Sequence, residues 1–107
     1  MANQWGISRE VELKVTQRDK YCVYCGVEFL SDGTRKTQAS WEHIVNDIRL
    51  NSIENIALSC VSCNASKGNK ELSVWLLSEY CKSKNICKDS VADVVKEIIH
   101  KGNQLFV

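Results

Sequence analysis

Two cysteine pairs, Cys22-Val-Tyr-Cys25 and Cys60-Val-Ser-Cys63, decide the fold of this chain. Two intervening residues let a tight turn aim both thiolates of a pair at one ion, so each pair suits one half of a tetrahedral zinc site. Residues 26–59 separate the pairs, an interval longer than the ~15–20 residues of a simple zinc ribbon. The predicted zinc staple therefore closes around a functional insert, which contains Glu42 and His43.

Polar residues with catalytic chemistry lie inside the insert and directly after it. The Glu42 carboxylate is a hard oxygen ligand of the kind Mg²⁺ prefers, and His43 is a candidate general base. Taken alone, the pair is better explained as an exposed glutamate and a half-buried histidine, but the position between the cysteine pairs favours a site. Asn64 follows Cys63, so a zinc ion would fix the backbone that presents its amide oxygen. Lys67, on the same helical face, is either a phosphate contact or a solvated surface lysine.

Size and cysteine usage indicate one zinc-stabilised intracellular domain. With 107 residues, the chain is expected to form a single domain over 1–107, with a stapled core at about 18–70 and a helical tail at about 71–102. Zinc contributes about 10–16 kcal/mol of apparent binding energy in small fingers, so we expect chelation to unfold the domain. Met1 to Gly6 lacks the basic start and apolar run of a secretory signal, which predicts a cytoplasmic protein with metal-bound rather than disulfide-bonded cysteines. No apolar run is long enough to span a membrane.

The charge of the chain is low for a nucleic-acid-binding protein. Its formal net charge is +1, and four thiolates with one zinc ion add about −2, so the zinc-bound form is close to neutral. Proteins that bind nucleic acid without sequence preference usually carry a strong basic excess. Any DNA affinity must therefore come from local patches, a bound divalent ion, a homodimer or a partner.

Hydrophobic periodicity predicts an α+β fold with an N-terminal helix and two tail helices. Residues 37–45 alternate as a strand with Trp41 and His43 on one face and Glu42 on the other, and the turn at 31–34 would join it to a second short strand. Asn46 to Asn55 is a polar loop. The predicted helices are 7–19, 53–67, 72–83 and 90–101, the last ending at Gly102. In the tail, Trp75, Leu76 and Tyr80 belong either to the core or to a docking or dimer face, and Cys81 and Cys87 are expected to be ordinary buried cysteines.

From Arg18 to Asn69 these motifs resemble the HNH, or ββα-metal, endonuclease family, in the branch stapled by four cysteines. The resemblance rests on both cysteine pairs, Trp41-Glu-His-Ile-Val45, Ile53-Glu-Asn-Ile-Ala-Leu-Ser-Cys60 and Cys63-Asn-Ala-Ser-Lys-Gly-Asn69. It implies a small ββα-metal core in which Glu42 and Asn64 hold one divalent ion, His43 is the general base and Asn55 braces the loop behind the histidine. Glu42 stands where Asp is more frequent, Asn64 stands where the final His of the motif would be, and the loop after His43 is short and lacks a proline and a double glycine.

The resemblance implies a DNA endonuclease that hydrolyses phosphodiester bonds with Mg²⁺ or Mn²⁺, on double-stranded or branched DNA. Arg35, Lys36 and Lys67 are candidates for contacts to the DNA backbone, with Arg49 a weaker one. A homodimer would explain double-strand cleavage. The alternative is a catalytically inactive zinc module that acts by binding protein or nucleic acid.

Overall fold

The computed structural model of the chain describes residues 5–31 and 33–106. The first helix, α1, spans Arg9–Arg18. It starts two residues after the predicted bound, because the Ser8 hydroxyl accepts a hydrogen bond from the Val11 amide at 3.2 Å and caps one free N–H group of the first turn. Its C-terminal end is tied to the middle of the chain: Asp19 Oδ2 accepts from the Leu58 amide at 3.1 Å. The helix thereby supports the strand that leads to the second cysteine pair.

Two strands form the sheet: β1, Ala39–His43, and β2, Ile56–Cys60. They pair antiparallel, with Ala39 opposite Cys60 and His43 opposite Ile56. Helix α2, Val61–Lys67, follows β2 without a loop, because Cys60 is extended and its sulfur accepts from the Cys63 amide at the helix start. The order strand, strand, helix gives the ββα core, and the predicted α+β fold class is confirmed.

The predicted helix over 53–67 is wrong in its first half. All five positions of β2 are buried, so its apolar run carries no alternation that would distinguish a strand from a helix. The partner of β1 is accordingly β2, reached through the polar loop, and not a strand joined by the turn at 31–34. Asp32 of that predicted turn lies outside the described residues. Helical structure begins only at Val61.

The tail consists of helices α3, Leu72–Trp75, α4, Glu79–Ser83, and α5, Asp93–Phe106. The single helix predicted for 72–83 is divided because the Ser78 hydroxyl accepts from the Cys81 amide and starts a new helix there. The predicted stop at Gly102 is also wrong, since α5 continues to Phe106; a glycine inside a helix costs only about 1 kcal/mol. None of the helices in the described ranges is long and apolar enough to cross a membrane.

The larger hydrophobic cluster joins the tail to the cysteine pairs. Trp75 is fully buried in it, against Tyr24 at a ring-centroid distance of 4.8 Å, so this tryptophan belongs to the core and not to a docking face. Cys81 is buried in the same cluster, as expected, whereas Cys87 is exposed. The Ala92 amide donates to the Val23 carbonyl at 2.8 Å, which fixes the start of α5 on the first cysteine pair.

Candidate active site and metal centre

The four cysteine sulfurs converge as the pair spacing predicts. All four sulfur atoms lie within 4.8 Å of one another, and Sγ of Cys25 and Sγ of Cys60 are 3.9 Å apart. Tetrahedral zinc with bonds of about 2.3 Å places its sulfurs about 3.8 Å from each other, so the cluster fits this ion. Cys22, Cys60 and Cys63 are buried and Cys25 is half-buried, which makes the centre a closed, structural one.

Donors around the sulfurs suit thiolate ligands. Amide N–H groups of Cys25 and Cys63 point at the first sulfur of their own pair, at 3.5 and 3.3 Å. The Tyr80 hydroxyl donates to Cys63 Sγ at 3.3 Å, so helix α4 also contributes to the centre. Hydrogen bonds of this kind stabilise the negative charge that thiolates bring to a zinc site. Gly26, with φ of 78°, adopts the left-handed turn that closes the first knuckle.

Glu42 is buried on one face of β1 and held by two donors. Its Oε2 accepts from the Tyr24 hydroxyl at 2.6 Å and lies 3.2 Å from Nζ of Lys67. Burial raises the pKa of this carboxyl above its usual value, while the Lys67 charge and the Tyr24 hydrogen bond oppose that rise. The carboxylate is therefore an oxygen ligand shielded from water, and the positive charge of Lys67 lies beside it.

His43 is buried on the opposite face of the strand, as the predicted alternation requires. Its Nε2 lies 2.7 Å from Oδ1 of Asn51, and its ring meets the edge of Trp5 at a centroid distance of 5.3 Å. The Asn51 amide nitrogen donates to the Trp5 carbonyl at 3.2 Å. Because a carbonyl only accepts, this contact fixes the amide so that its oxygen faces the imidazole.

Asn55 and Asn64 each hydrogen-bond the backbone close in sequence to Glu42 and His43. Asn55 accepts from the Val45 amide at 2.7 Å and donates to the carbonyls of Val45 and Leu50 at 3.1 Å each, so its side chain fixes the loop that follows His43. Asn64 donates through Nδ2 to the Trp41 carbonyl at 2.9 Å and to the Ser40 hydroxyl at 3.0 Å, which places its amide against β1. Both contacts use Nδ2, so Oδ1 is the acceptor atom of this amide.

The basic candidates separate into two kinds. Arg35 and Lys36 are exposed and free to meet a polyanion from solution. Lys67 corrects the expectation of a surface contact, because its side chain has no exposed area and its ammonium bonds Glu42 and the His43 carbonyl. Arg49 is exposed but pairs with Asp47 at 2.7 Å, and these hydrogen bonds lower the pKa of Asp47 to about 2.

Two side chains at β1 carry oxygen atoms of the kind that hard divalent ions bind. Glu42 supplies a carboxylate and Asn64 an amide oxygen, the oxygen ligands that Mg²⁺ and Mn²⁺ take. Both contacts to Glu42 fall on Oε2, so Oε1 is the oxygen with a lone pair to offer.

Three residues of the site were not predicted: Tyr24, Asn51 and Trp5. Tyr24 lies between two zinc ligands, where sequence spacing draws attention to the cysteines. Asn51 is eight residues from His43, and no local pattern connects them. Two sequence signals could have identified Tyr24 and Asn51: an aromatic hydroxyl inside the first cysteine pair and an asparagine in the middle of the polar loop.

Comparison with known proteins agrees with the geometry. The family model described as HNH endonuclease matches residues 22–70, from the first cysteine of the staple to just beyond α2. No curated protein and no solved structure matches the chain.

Proposed function

The chain carries an HNH endonuclease domain at residues 22–70, and on that premise we propose that it is a metal-dependent DNA endonuclease hydrolysing phosphodiester bonds. The observation that carries the proposal is His43, a buried imidazole set against Asn51 at 2.7 Å on the strand that also bears Glu42. A structural zinc staple alone would need neither residue. The proposed substrate is double-stranded or branched DNA.

His43 is the proposed general base, and its neighbours decide which nitrogen acts. Asn51 Oδ1 can only accept, so Nε2 of the neutral ring carries the proton in their 2.7 Å hydrogen bond. Nδ1 is then the basic nitrogen, the atom that would take a proton from the attacking water. The Trp5 ring, in edge contact with the imidazole, limits its rotation.

Glu42 and Asn64 are the proposed ligands of one Mg²⁺ or Mn²⁺ ion. When bound, such an ion supplies positive charge against the phosphate and the leaving 3′ oxygen. Asn55 keeps the loop behind His43 in place through its three hydrogen bonds, so that base and ligands keep their spacing. The exposed Arg35 and Lys36 are proposed to contact DNA phosphates, which position the substrate without reading its sequence.

The wider setting is proposed on chemical grounds. A cytoplasmic location keeps the four thiolates reduced and available to zinc. A homodimer would bring two sites to the two strands of a duplex and add the modest charges of both copies.

Nicking of supercoiled plasmid tests the function. Zinc-loaded protein is assayed with and without added Mg²⁺ or Mn²⁺, beside His43→Ala, and a branched duplex is included as second substrate. The matched control is His100→Ala, which removes the other histidine of the chain from an exposed position on α5. We expect divalent-dependent nicking that is lost in His43→Ala alone, with zinc content and fold retained. Inactivity of the wild-type protein on both substrates, with zinc bound, would instead favour the inactive zinc module.

A further inference from the structure

The two groups that hold Glu42 come from opposite halves of the zinc staple. Tyr24 stands between Cys22 and Cys25 in the first knuckle. Lys67 ends helix α2, the helix that begins at the second pair. Their donor atoms meet at one carboxylate oxygen, Oε2 of Glu42, at 2.6 and 3.2 Å.

Burial makes this contact well defined. Tyr24 is 1% exposed, Lys67 is 0% exposed and Glu42 is 5% exposed, so water does not compete for the three groups. Tyr24 is the donor in its contact with Glu42, because a carboxylate oxygen only accepts. Lys67 Nζ also donates to the His43 carbonyl at 3.3 Å, so the same ammonium touches both residues of the Glu42-His43 pair.

We propose that Tyr24 and Lys67 are positioning residues that fix the Glu42 carboxylate through Oε2 and reserve Oε1 for the divalent ion. The ion site is then assembled only when both cysteine pairs are in place, since each pair delivers one of the two donors. This inference rests on the proposed function, because it assigns the oxygen by which Glu42 would bind the ion. Partners that orient a metal-binding carboxylate typically change metal affinity or activity by about 10- to 100-fold when removed.

Binding of Mn²⁺ alone, without DNA, tests the inference. The fraction of free Mn²⁺ is followed by its electron paramagnetic resonance signal during titration into zinc-loaded protein. Tyr24→Phe removes one hydroxyl and keeps the ring against Trp75, and we expect its Kd for Mn²⁺ to rise by about 10-fold or more. Tyr21→Phe is the matched control: the same change in the same segment, at a side chain that is 55% exposed. Its Kd should stay at the wild-type value.

A second variant keeps the test decisive if Tyr24→Phe loses zinc. Lys67→Met removes the other contact to Oε2, and Mn²⁺ binding should again weaken. Zinc content and urea unfolding of each variant are measured in parallel, because a merely structural role would lower stability and leave the Kd for Mn²⁺ unchanged.

The outcomes separate the inference from the function. Wild-type binding of Mn²⁺ with nicking, and weakened binding only in the Tyr24 and Lys67 variants, supports both. Equal or tighter Mn²⁺ binding by a folded variant overturns the positioning role and leaves the nuclease intact. A wild-type protein that neither binds Mn²⁺ nor nicks DNA overturns the function and the inference together.

Discussion

At the scale of single residues, the imidazole of His43 depends on one amide for its orientation. Asn51 Oδ1 accepts from Nε2, and the Trp5 carbonyl prevents the amide from turning over. A general base is useful only when its basic nitrogen faces the water it activates. Asn51 is thus expected to act on the rate through His43 without contacting the substrate.

Replacing Asn51 by leucine, which keeps the volume and removes the acceptor, should lower kcat by about 10- to 100-fold, a part of the ~100- to 10,000-fold that a positioned base supplies. KM should change little, because no DNA contact is removed. Steady-state cleavage kinetics over a range of DNA concentrations measure both parameters. Asn46→Leu, on the same loop but bonded to the Asn69 carbonyl, is the control. Equal rates in the two variants would remove Asn51 from the mechanism.

The ion pair of Glu42 and Lys67 makes a prediction about stability. Removing one member of a buried pair leaves an uncompensated charge, so Lys67→Met should reduce the free energy of unfolding by about 3–5 kcal/mol. The double variant Glu42→Gln, Lys67→Met leaves no buried charge and should recover most of that loss. Urea titration of the zinc-loaded proteins gives both values. A double variant as unstable as the single one would show that the charge is not the cause.

At the scale of elements, Asn55 makes three hydrogen bonds within the loop between β1 and β2. The three hydrogen bonds of Asn55 reach both ends of the segment from Val45 to Leu50. Asn55→Ala removes these three hydrogen bonds at once, and each contributes about 0.5–1.5 kcal/mol. Amide hydrogen exchange should then accelerate at Val45 while the β1–β2 ladder stays protected. Unchanged exchange at Val45 would contradict the bracing role.

Local chemistry made some of these elements predictable. The amphipathic pattern predicted α1 and the pair spacing predicted the cysteine cluster, because each of these signals is carried by residues a few positions apart. Strand β2 was not predicted because both of its faces are buried, so its sequence does not alternate between apolar and polar residues. Tyr24 and Asn51, the partners of Glu42 and His43, were not predicted because they reach these residues across turns whose geometry only the folded chain determines.

At the scale of the whole molecule, low net charge limits how the chain meets DNA. Each phosphate contact adds about −0.9 to the slope of log K against log salt, so a chain of net charge +1 should show a shallow slope. Arg35→Ala and Lys36→Ala should each reduce the slope by about 1, with equal effects on unrelated sequences. Fluorescence anisotropy of labelled duplexes across a salt series measures this. A loss confined to one sequence would identify base reading instead of backbone contact.

The division of the cysteine centre between two stretches of chain has a consequence for fragment complementation. A cut in the loop between β1 and β2 leaves one strand and two thiolates on each piece. Neither piece carries all four cysteines of the centre or can pair its strand alone, so the halves should reassemble only when zinc joins them. We expect co-expressed halves to co-purify when zinc is present and to separate when it is chelated. The domain could then serve as a split protein whose reassembly indicates that zinc is bound.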